Sequence, residues 1–215
     1  MQTTELNAIT YPVMEAFYTI QGEGFYQGHA AYFIRLGGCE VGCHWCDVKD
    51  SWDVAKHPSI SVEKIIQEAA KYPARIAVIT GGEPVMHNLE ALTEALKKEG
   101  FRRHIETSGA YTLTGSWDWV CLSPKKFKEP VDSIYPFVNE LKAIIYNKSD
   151  FEFAEKYYDR IITHQQPTTN TNNQHFFLQP EWSKQQEMLP LIVEYVKNNP
   201  KWEVSLQVHK YMNIP

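Results

Sequence analysis

The stretch AYFIRLGGCEVGCHWCD, residues 31–47, joins a short apolar run to a loop that carries three cysteines. The run from Ala31 to Leu36 has the length and composition of a buried strand. Cys39, Cys43 and Cys46 follow with the spacing C-x3-C-x2-C, and no fourth cysteine lies nearby. Structural zinc sites and most electron-transfer clusters use four protein ligands. Three thiolates on a four-iron cluster would leave one iron open to bind a substrate or cofactor.

The composition is that of an ordinary soluble protein. The chain has 215 residues, of which 43% are apolar and 22% are charged, and its net charge is -5. Because no stripe of Lys and Arg is present, a general nucleic-acid or anionic-membrane binder is disfavoured. The first residues lack the basic and apolar parts of a secretory signal, and no apolar run approaches about 18 residues. We therefore expect one cytoplasmic domain.

The bunched cysteines indicate metal ligands rather than disulfides. Four cysteines are too few for a disulfide-stapled secreted domain, and three of them are adjacent in a chain without an export signal. Cys121 lies in an apolar run, so we interpret it as a buried strand residue rather than a fourth ligand. A zinc site would need His44 as its fourth ligand, but His44 stands between two of the cysteines. An iron–sulfur cluster is therefore favoured over zinc.

Short apolar runs alternate with helical patterns, which predicts a parallel sheet in an open doubly wound fold or a partial barrel. The predicted strands are 31–36, 76–80, 103–106, 119–122, 141–146, 176–179 and 202–208. The predicted helices are 61–71, 89–99, 150–158 and 183–199.

Polar loops follow several of the predicted strands. After the cysteine loop come Thr-Gly-Gly-Glu-Pro at 80–84, Glu-Thr-Ser-Gly at 106–109, Ser-Pro-Lys at 123–125 and Gln-Pro at 179–180. The carboxyl ends of parallel strands form the active face of α/β folds, so these loops predict a site on one rim. The polar segment 164–175 is interpreted as a solvated loop, with a lid over the site as the alternative.

The motifs carry a resemblance to a known family. The cysteine spacing followed by Gly-Gly-Glu-Pro resembles the radical S-adenosylmethionine (SAM) enzymes. EAFYTIQGEG at 15–24, Ser-Pro-Lys at 123–125, FLQP at 177–180 and HKYMNIP at 209–215 are similar to the 7-carboxy-7-deazaguanine synthase family. This resemblance implies a partial parallel (β/α) barrel of about six strands with reduced helices. It implies a single radical SAM domain over 1–215, with 1–30 as an N-terminal substrate-binding extension and 203–215 as a C-terminal strand and tail that reaches the site.

The resemblance also assigns roles to residues of this chain. Cys39, Cys43 and Cys46 would ligate a [4Fe-4S] cluster. SAM would contact Trp45, Cys46, Asp47, Gly82, Ser123, Pro124, Lys125, Gln179, Pro180, Glu181 and Trp182. The pterin substrate would contact Ile20, Gln21, Gly22, Arg35, Thr80 and the terminal carboxylate of Pro215.

Some of these residues have ordinary alternative roles. The fork of Arg35 suits a substrate carboxylate, although a salt bridge at the end of a strand is the other interpretation. Glu23 and Glu106 could contact substrate or the SAM ribose, or could serve as structural caps. His209 is interpreted as a packing residue.

One position departs from the family pattern. Many members carry Thr two residues after the last cluster cysteine, where its hydroxyl helps to hold magnesium. This chain has Val48 there, and a hard cation needs oxygen ligands that valine lacks. The resemblance therefore leaves magnesium open, with Asp47 and Asp50 as nearby oxygen donors.

The activity that the resemblance implies is a radical ring contraction. It converts 6-carboxy-5,6,7,8-tetrahydropterin to 7-carboxy-7-deazaguanine with loss of ammonia, and the product feeds deazapurine nucleosides such as queuosine. The implied partners are a flavodoxin- or ferredoxin-type electron donor and a second copy of the chain. The alternatives are an activase of glycyl-radical enzymes and a cluster- or zinc-binding module without catalysis.

Overall fold

One sheet runs through almost the whole chain. A computed structural model describes residues 9–164 and 174–215. Its strands are β1 (Thr10–Ile20), β2 (Ala30–Leu36), β3 (Ser59–Ser61), β4 (Ile76–Gly81), β5 (Arg102–Thr107), β6 (Trp119–Leu122), β7 (Glu140–Ile145), β8 (His175–Pro180) and β9 (Glu203–Val204). The α-helices are α1 (Val62–Ala69), α2 (Glu90–Lys98), α3 (Ser149–Thr163), α4 (Gln185–Asn198) and α5 (Val208–Met212).

The strand order makes the sheet an open parallel barrel with an antiparallel edge. The described strands lie in the order β3-β1-β2-β4-β5-β6-β7-β8-β9. All pairs from β2 to β9 are parallel, whereas β1 is antiparallel to both β2 and β3. The edge strands β3 and β9 are not paired with each other. The structure thus confirms the predicted partial parallel barrel.

The helices are reduced, as predicted. Residues 108–118 connect β5 to β6 and residues 123–139 connect β6 to β7, and neither connection contains an α-helix. The helices α1, α2, α3 and α4 cover the predicted helical segments within a few residues. Ser61 caps α1 by accepting a hydrogen bond from the Lys64 N–H.

Sequence reasoning missed the longest strand, β1. Its sequence contains Pro12 and mixes polar with apolar residues, and a bulge interrupts its register between Val13 and Glu15. Pro12 nevertheless contributes a carbonyl, which accepts a hydrogen bond from the Gly37 N–H at 2.8 Å. The segment expected to be only a substrate-binding extension is therefore also part of the sheet from residue 10 onward.

The predicted strand 202–208 was wrong over most of its length. Only Glu203 and Val204 pair with β8, and the chain then turns into α5. Ser205 still donates its backbone N–H to the Leu178 carbonyl of β8 at 3.0 Å, and its hydroxyl donates to Gln179 Oε1 at 2.7 Å, so the chain turns away just after this residue. The expected C-terminal strand and tail is thus a two-residue strand, a short helix and a tail. Most of the polar segment 164–175 lies outside the described residues.

Two apolar clusters flank the sheet. One packs β1, β2, β4 and β5 against α1 and α2, and the other packs β7 and β8 against α3 and α4. The second includes Trp202, which is 1% exposed and donates its indole N–H to Glu155 Oε1 at 2.8 Å. Within the described residues, no helix has the length and apolar content needed to cross a membrane.

We expect Trp202→Ala to destabilise the fold strongly. It removes a fully buried indole from the second cluster and one of the three side-chain donors to Glu155, a loss of about 3–5 kcal/mol of unfolding free energy. Urea unfolding followed by circular dichroism measures this loss. Phe137→Ala is the control, because Phe137 is 58% exposed and its removal should change the free energy by less than about 0.5 kcal/mol. Equal losses in the two variants would contradict the assignment of the core.

Candidate active site

A cavity of about 470 Å³ opens at the carboxyl ends of the parallel strands. This volume falls within the range of small-molecule sites, about 300–1,000 Å³. Its walls come from the loops after β2, β4, β5, β6 and β8, as the polar loops of the sequence predicted, and from both ends of the described chain.

The structure brings the predicted site residues together around this cavity, with one exception. Pro124 is not among the lining residues. Those that line it are Ile20, Gln21, Gly22, Arg35, Cys39, Cys43, Trp45, Cys46, Asp47, Val48, Thr80, Gly82, Ser123, Lys125, Gln179, Pro180, Glu181, Trp182 and Pro215. Their individual contacts with ligands stay predictions.

The cysteine loop holds three free thiols beside one space. Burial raises the pKa of the Cys39 thiol, and it raises that of Cys43 to about 11 although nearby Lys125 opposes the shift. Such thiols keep their protons at neutral pH and become thiolates when a metal binds them. Gly42, with φ at +76°, permits the turn between Cys39 and Cys43.

The donor set fits a [4Fe-4S] cluster with one open iron. In residues 9–164 and 174–215, no three His, Cys, Asp or Glu side chains converge as ligands of a single metal ion would. A four-iron cluster has a different requirement, because each cysteine binds a different iron. The three thiols therefore need only border the same space, as they do here.

The Gly-Gly-Glu-Pro segment packs its backbone against the cysteine loop. Gly82 donates its N–H to the Leu36 carbonyl at 3.0 Å, and Glu83 donates its N–H to the Gly38 carbonyl at 2.8 Å. A Cβ on Gly82 would collide with that same Gly38 carbonyl. Only glycine therefore lets the ends of β2 and β4 approach this closely.

Glu83 is engaged within the protein. The side chain is buried and accepts hydrogen bonds from the backbone N–H groups of Ser108 and Val85 and from the hydroxyls of Thr107 and Ser108. Burial raises the pKa of Glu83, although these hydrogen bonds oppose the shift. The carboxylate therefore ties the end of β4 to the end of β5, and the backbone of the glycine pair is what faces a ligand.

Three of the predicted SAM residues, Ser123, Lys125 and Trp45, form a connected wall. Lys125 donates to Ser123 Oγ at 2.6 Å, and its ammonium lies 5.4 Å from the centre of the Trp45 ring. Burial lowers the pKa of Lys125. Gln179 is 2% exposed and uses its side-chain carbonyl to accept from Ser205. The Ser-Pro-Lys loop thus lies against the cysteine loop, beside residues 179–182.

Arg35 makes the predicted strand-end salt bridge and keeps two donors unengaged; its contact with substrate stays a prediction. It lies opposite Thr80 in the β2–β4 pair and opposite Glu15 in the β1–β2 pair. Its Nε donates to Glu15 Oε1 at 2.6 Å, which is the strand-end salt bridge. Its two terminal nitrogens have no hydrogen-bond partner among the described residues, and the side chain lines the cavity. The two terminal nitrogens of the guanidinium group are thus available to an anion.

Lys142 joins the two acidic residues that the sequence left unassigned. Its ammonium lies 2.5 Å from Glu23 Oε2 and 3.0 Å from Glu106 Oε2. Gln21 donates to Glu106 Oε1 at 2.8 Å, and Gln207 donates to Glu23 Oε1 at 2.8 Å. We call these five residues the acid–lysine network, and all of them line the cavity.

The network stays charged although it is buried. Burial alone would raise the pKa of Glu23, but the ion pair with Lys142 and the hydrogen bonds lower it to about 2. Burial alone would lower the pKa of Lys142, but Glu106 and Glu23 raise it well above its usual value. One ammonium between two carboxylates leaves an excess of negative charge beside the cavity.

The C-terminal segment closes the cavity by packing on the residues after β1. Val208 donates its N–H to the Gly22 carbonyl at 2.9 Å, and the Thr19 hydroxyl donates to the Pro215 carbonyl at 3.3 Å. A Cβ on Gly22 would collide with the His209 ring. His209 lines the cavity, and burial lowers its pKa, so it is neutral at pH 7. His209 is therefore a site residue as well as a packing residue.

Sequence reasoning missed Lys142 and Gln207. Lys142 lies inside the strand sequence ELKAII, where a single lysine is usually an outward-facing residue. The available signal was its place beside Glu140 in a mostly apolar parallel strand, whose residues are covered on both faces. A lysine there needs a buried anion, and the chain has Glu23 and Glu106 in two conspicuous polar motifs.

Comparisons with known proteins agree with this geometry. A family model described as the Radical SAM superfamily matches residues 33–129. The chain is 58% identical to a 7-carboxy-7-deazaguanine synthase of Flavobacterium psychrophilum, over 95% of this chain and 92% of the relative. It is 44% identical to one from Synechocystis, over 98% and 97% of the two chains.

A solved structure extends the likeness to three dimensions. The crystal structure of QueE from Escherichia coli superposes with a TM-score of 0.80 at 30% identity, and the match covers 96% of this chain and 98% of that one. Identity at this level along nearly the whole chain shows common descent rather than a shared fold alone. The chain belongs to the 7-carboxy-7-deazaguanine synthase family of radical SAM enzymes.

Proposed function

We propose that this chain converts 6-carboxy-5,6,7,8-tetrahydropterin to 7-carboxy-7-deazaguanine with loss of ammonia, in the biosynthesis of deazapurine nucleosides such as queuosine. One observation carries the proposal: a single cavity joins three free thiols to a buried, charged network and an arginine with free donors. When bound, the [4Fe-4S] cluster and SAM supply the 5′-deoxyadenosyl radical that removes a hydrogen atom from C6 of the substrate. The residues of this chain bind, orient and shield the reactants.

The acid–lysine network suits the aminopyrimidine end of a pterin. That end presents N–H donors in a plane, and carboxylates are the strongest acceptors that a protein can offer them. Glu106 uses one lone pair on each oxygen for Gln21 and Lys142, so the other lone pairs remain for a ligand. Because Lys142 lowers the pKa of Glu23, that carboxylate acts as an acceptor at neutral pH.

The other end of the substrate carries a carboxylate, and Arg35 is placed to receive it. Its free terminal nitrogens can form two parallel hydrogen bonds with a carboxylate. Thr80 lies beside it on β4 and adds a hydroxyl. With the pterin edge at the acid–lysine network and the carboxylate at Arg35, the ring atoms between them are held within the same cavity as the cysteine loop.

Groups that line the same cavity accept and donate the protons that move during the loss of ammonia. His209 is neutral at pH 7 because burial lowers its pKa, so it can accept a proton from the rearranging ring. The C-terminal segment that carries His209 also covers the residues after β1.

The cellular setting is proposed from the family resemblance. A flavodoxin- or ferredoxin-type protein donates the electron that the cluster needs, and the chain acts as a homodimer in the cytoplasm. The predicted SAM contacts of Trp45, Asp47, Gly82, Ser123, Lys125 and residues 179–182 belong to the same proposal, with the connected wall of Ser123, Lys125 and Trp45 as its structural support.

We expect Cys43→Ala to abolish cluster binding. The variant removes one of the three thiols that border the cavity, so reconstituted protein should lose its iron and sulfide and should form no deoxyadenosine from SAM. Iron and sulfide analysis, the visible absorbance of the cluster and chromatography of SAM products measure these losses. Cys121→Ala is the matched control, because Cys121 is buried in β6 and does not line the cavity. Loss of the cluster in the control as well, or zinc in place of iron in the unmodified protein, would contradict the assignment.

We expect Glu106→Gln to weaken substrate binding while SAM binding is kept. The amide has nearly the same shape but lacks the charge, and a hydrogen bond to a charged acceptor contributes about 1.5–3 kcal/mol, or roughly 10- to 100-fold in affinity. Anaerobic turnover assays give the KM for the carboxytetrahydropterin, and calorimetry gives the affinity for SAM. Glu129→Gln, in a surface ion pair, is the control. If wild-type protein forms deoxyadenosine but no deazaguanine product, the substrate assignment fails.

A further inference from the structure

The residue at the family's magnesium position does not fit that role in this chain. Val48 presents only hydrocarbon, and its carbonyl oxygen already accepts from the Ser51 N–H at 3.1 Å and from the Ser51 hydroxyl at 2.7 Å. Magnesium demands near-octahedral coordination by oxygen atoms. Position 48 therefore supplies neither a side-chain oxygen nor an unengaged carbonyl.

The neighbouring oxygens do not make up the deficit. The Asp47 carboxylate is paired with the Lys210 ammonium at 3.9 Å, and Asp50 does not line the cavity. Across the two described ranges, no cluster of three acidic, His or Cys side chains could hold a metal ion. An anionic substrate in this cavity thus needs its counter-charge from elsewhere.

Lys210 lies where such a charge is needed. Its side chain is 23% exposed and lines the cavity. The ammonium lies 3.9 Å from Asp47 Oδ2, beside Val48, which is too far for a hydrogen bond. The one hydrogen bond that it makes in the described chain goes to Gln207 Oε1 at 3.0 Å. An ammonium has three N–H groups, so two remain for a ligand oxygen.

The surroundings hold this ammonium in place. It lies 4.7 Å from the centre of the Trp182 ring, a cation–π distance. Gln207 links it to the acid–lysine network through Glu23, so its position is coupled to that of the pterin-binding carboxylates. Arg35 contributes the free terminal nitrogens of its fork to the same cavity.

We propose that Lys210 and Arg35 together bind the carboxylate of the substrate in this chain, without a divalent cation. The inference rests on the proposed function, because the carboxylate in question belongs to the proposed substrate. Two partly buried cations with unused donors replace the charge of the metal ion, and the reduced solvent exposure strengthens their attraction to an anion.

Binding without turnover tests the inference. Reconstituted holoenzyme with SAM and no reductant is titrated anaerobically with 6-carboxy-5,6,7,8-tetrahydropterin, and with tetrahydropterin, which lacks the carboxylate. Lys210→Met should weaken binding of the first ligand by roughly tenfold or more and leave binding of the second almost unchanged. Lys210→Arg should retain most of the affinity. Lys197→Met, on the exposed face of α4, controls for the loss of a lysine.

Magnesium is the second variable of the same titration. Wild-type affinity for the carboxylated pterin should be equal in EDTA and in magnesium chloride, whereas Val48→Thr should gain affinity with magnesium because it restores an oxygen. Magnesium-dependent binding by wild type, or unchanged binding by Lys210→Met, would overturn the inference and leave the proposed function standing. Failure of wild type to bind either pterin would overturn both.

Discussion

Lys142 positions the residues of the acid–lysine network, which form one side of the cavity. Its side chain is 5% exposed, and its ammonium holds Glu23 from the loop after β1 and Glu106 from β5. Through Glu23 and Gln207 the same charge reaches the C-terminal segment. Burying three charges costs several kcal/mol per ion, and only close pairing with full hydrogen bonding offsets this cost. The segments that meet at the acid–lysine network are therefore positioned by one electrostatic requirement, which an apolar core would not impose.

The cysteine loop is positioned by a different constraint, the close approach of the backbones after β2 and β4. Gly82 and Gly38 bring the loops after β4 and β2 into contact that a Cβ would prevent. Glu83 then locks the loop after β4 to the loop after β5. This side of the cavity does not depend on ion pairs between residues far apart in the sequence, because adjacent parallel strands already place their carboxyl ends together. The cysteine loop and its contacts are thus local in sequence, whereas the acid–lysine network is assembled from distant segments.

That difference explains what the sequence could predict. The cysteine spacing, the glycine pair and the polar loops after apolar runs follow local rules, and they indicated correctly a parallel sheet with polar loops at one rim, while the family resemblance selected the partial barrel. Lys142 was missed because its meaning depends on Glu23, which is 119 residues away in the chain. β1 was missed because Pro12 and a bulge disturb its period, and its stability comes from pairing with β2 and β3 on either side. Strand 202–208 was overextended because its apolar pattern continues past the point where Ser205 turns toward Gln179.

The C-terminal segment joins the acid–lysine network to the cysteine loop. It leaves the sheet after Ser205, contributes Gln207 to the acid–lysine network, and brings Lys210 next to Asp47 in the cysteine loop. A residue placed there lies close to both the acid–lysine network and the cysteine loop. The hydrogen bond between Val208 and Gly22 anchors the segment that carries it. A cation on this segment is positioned by the fold itself, whereas a metal ion would have to be positioned by oxygen atoms of the cysteine loop. With valine at position 48 the loop has no side-chain oxygen there, and Asp47 already faces Lys210, so we propose that the C-terminal segment supplies the positive charge.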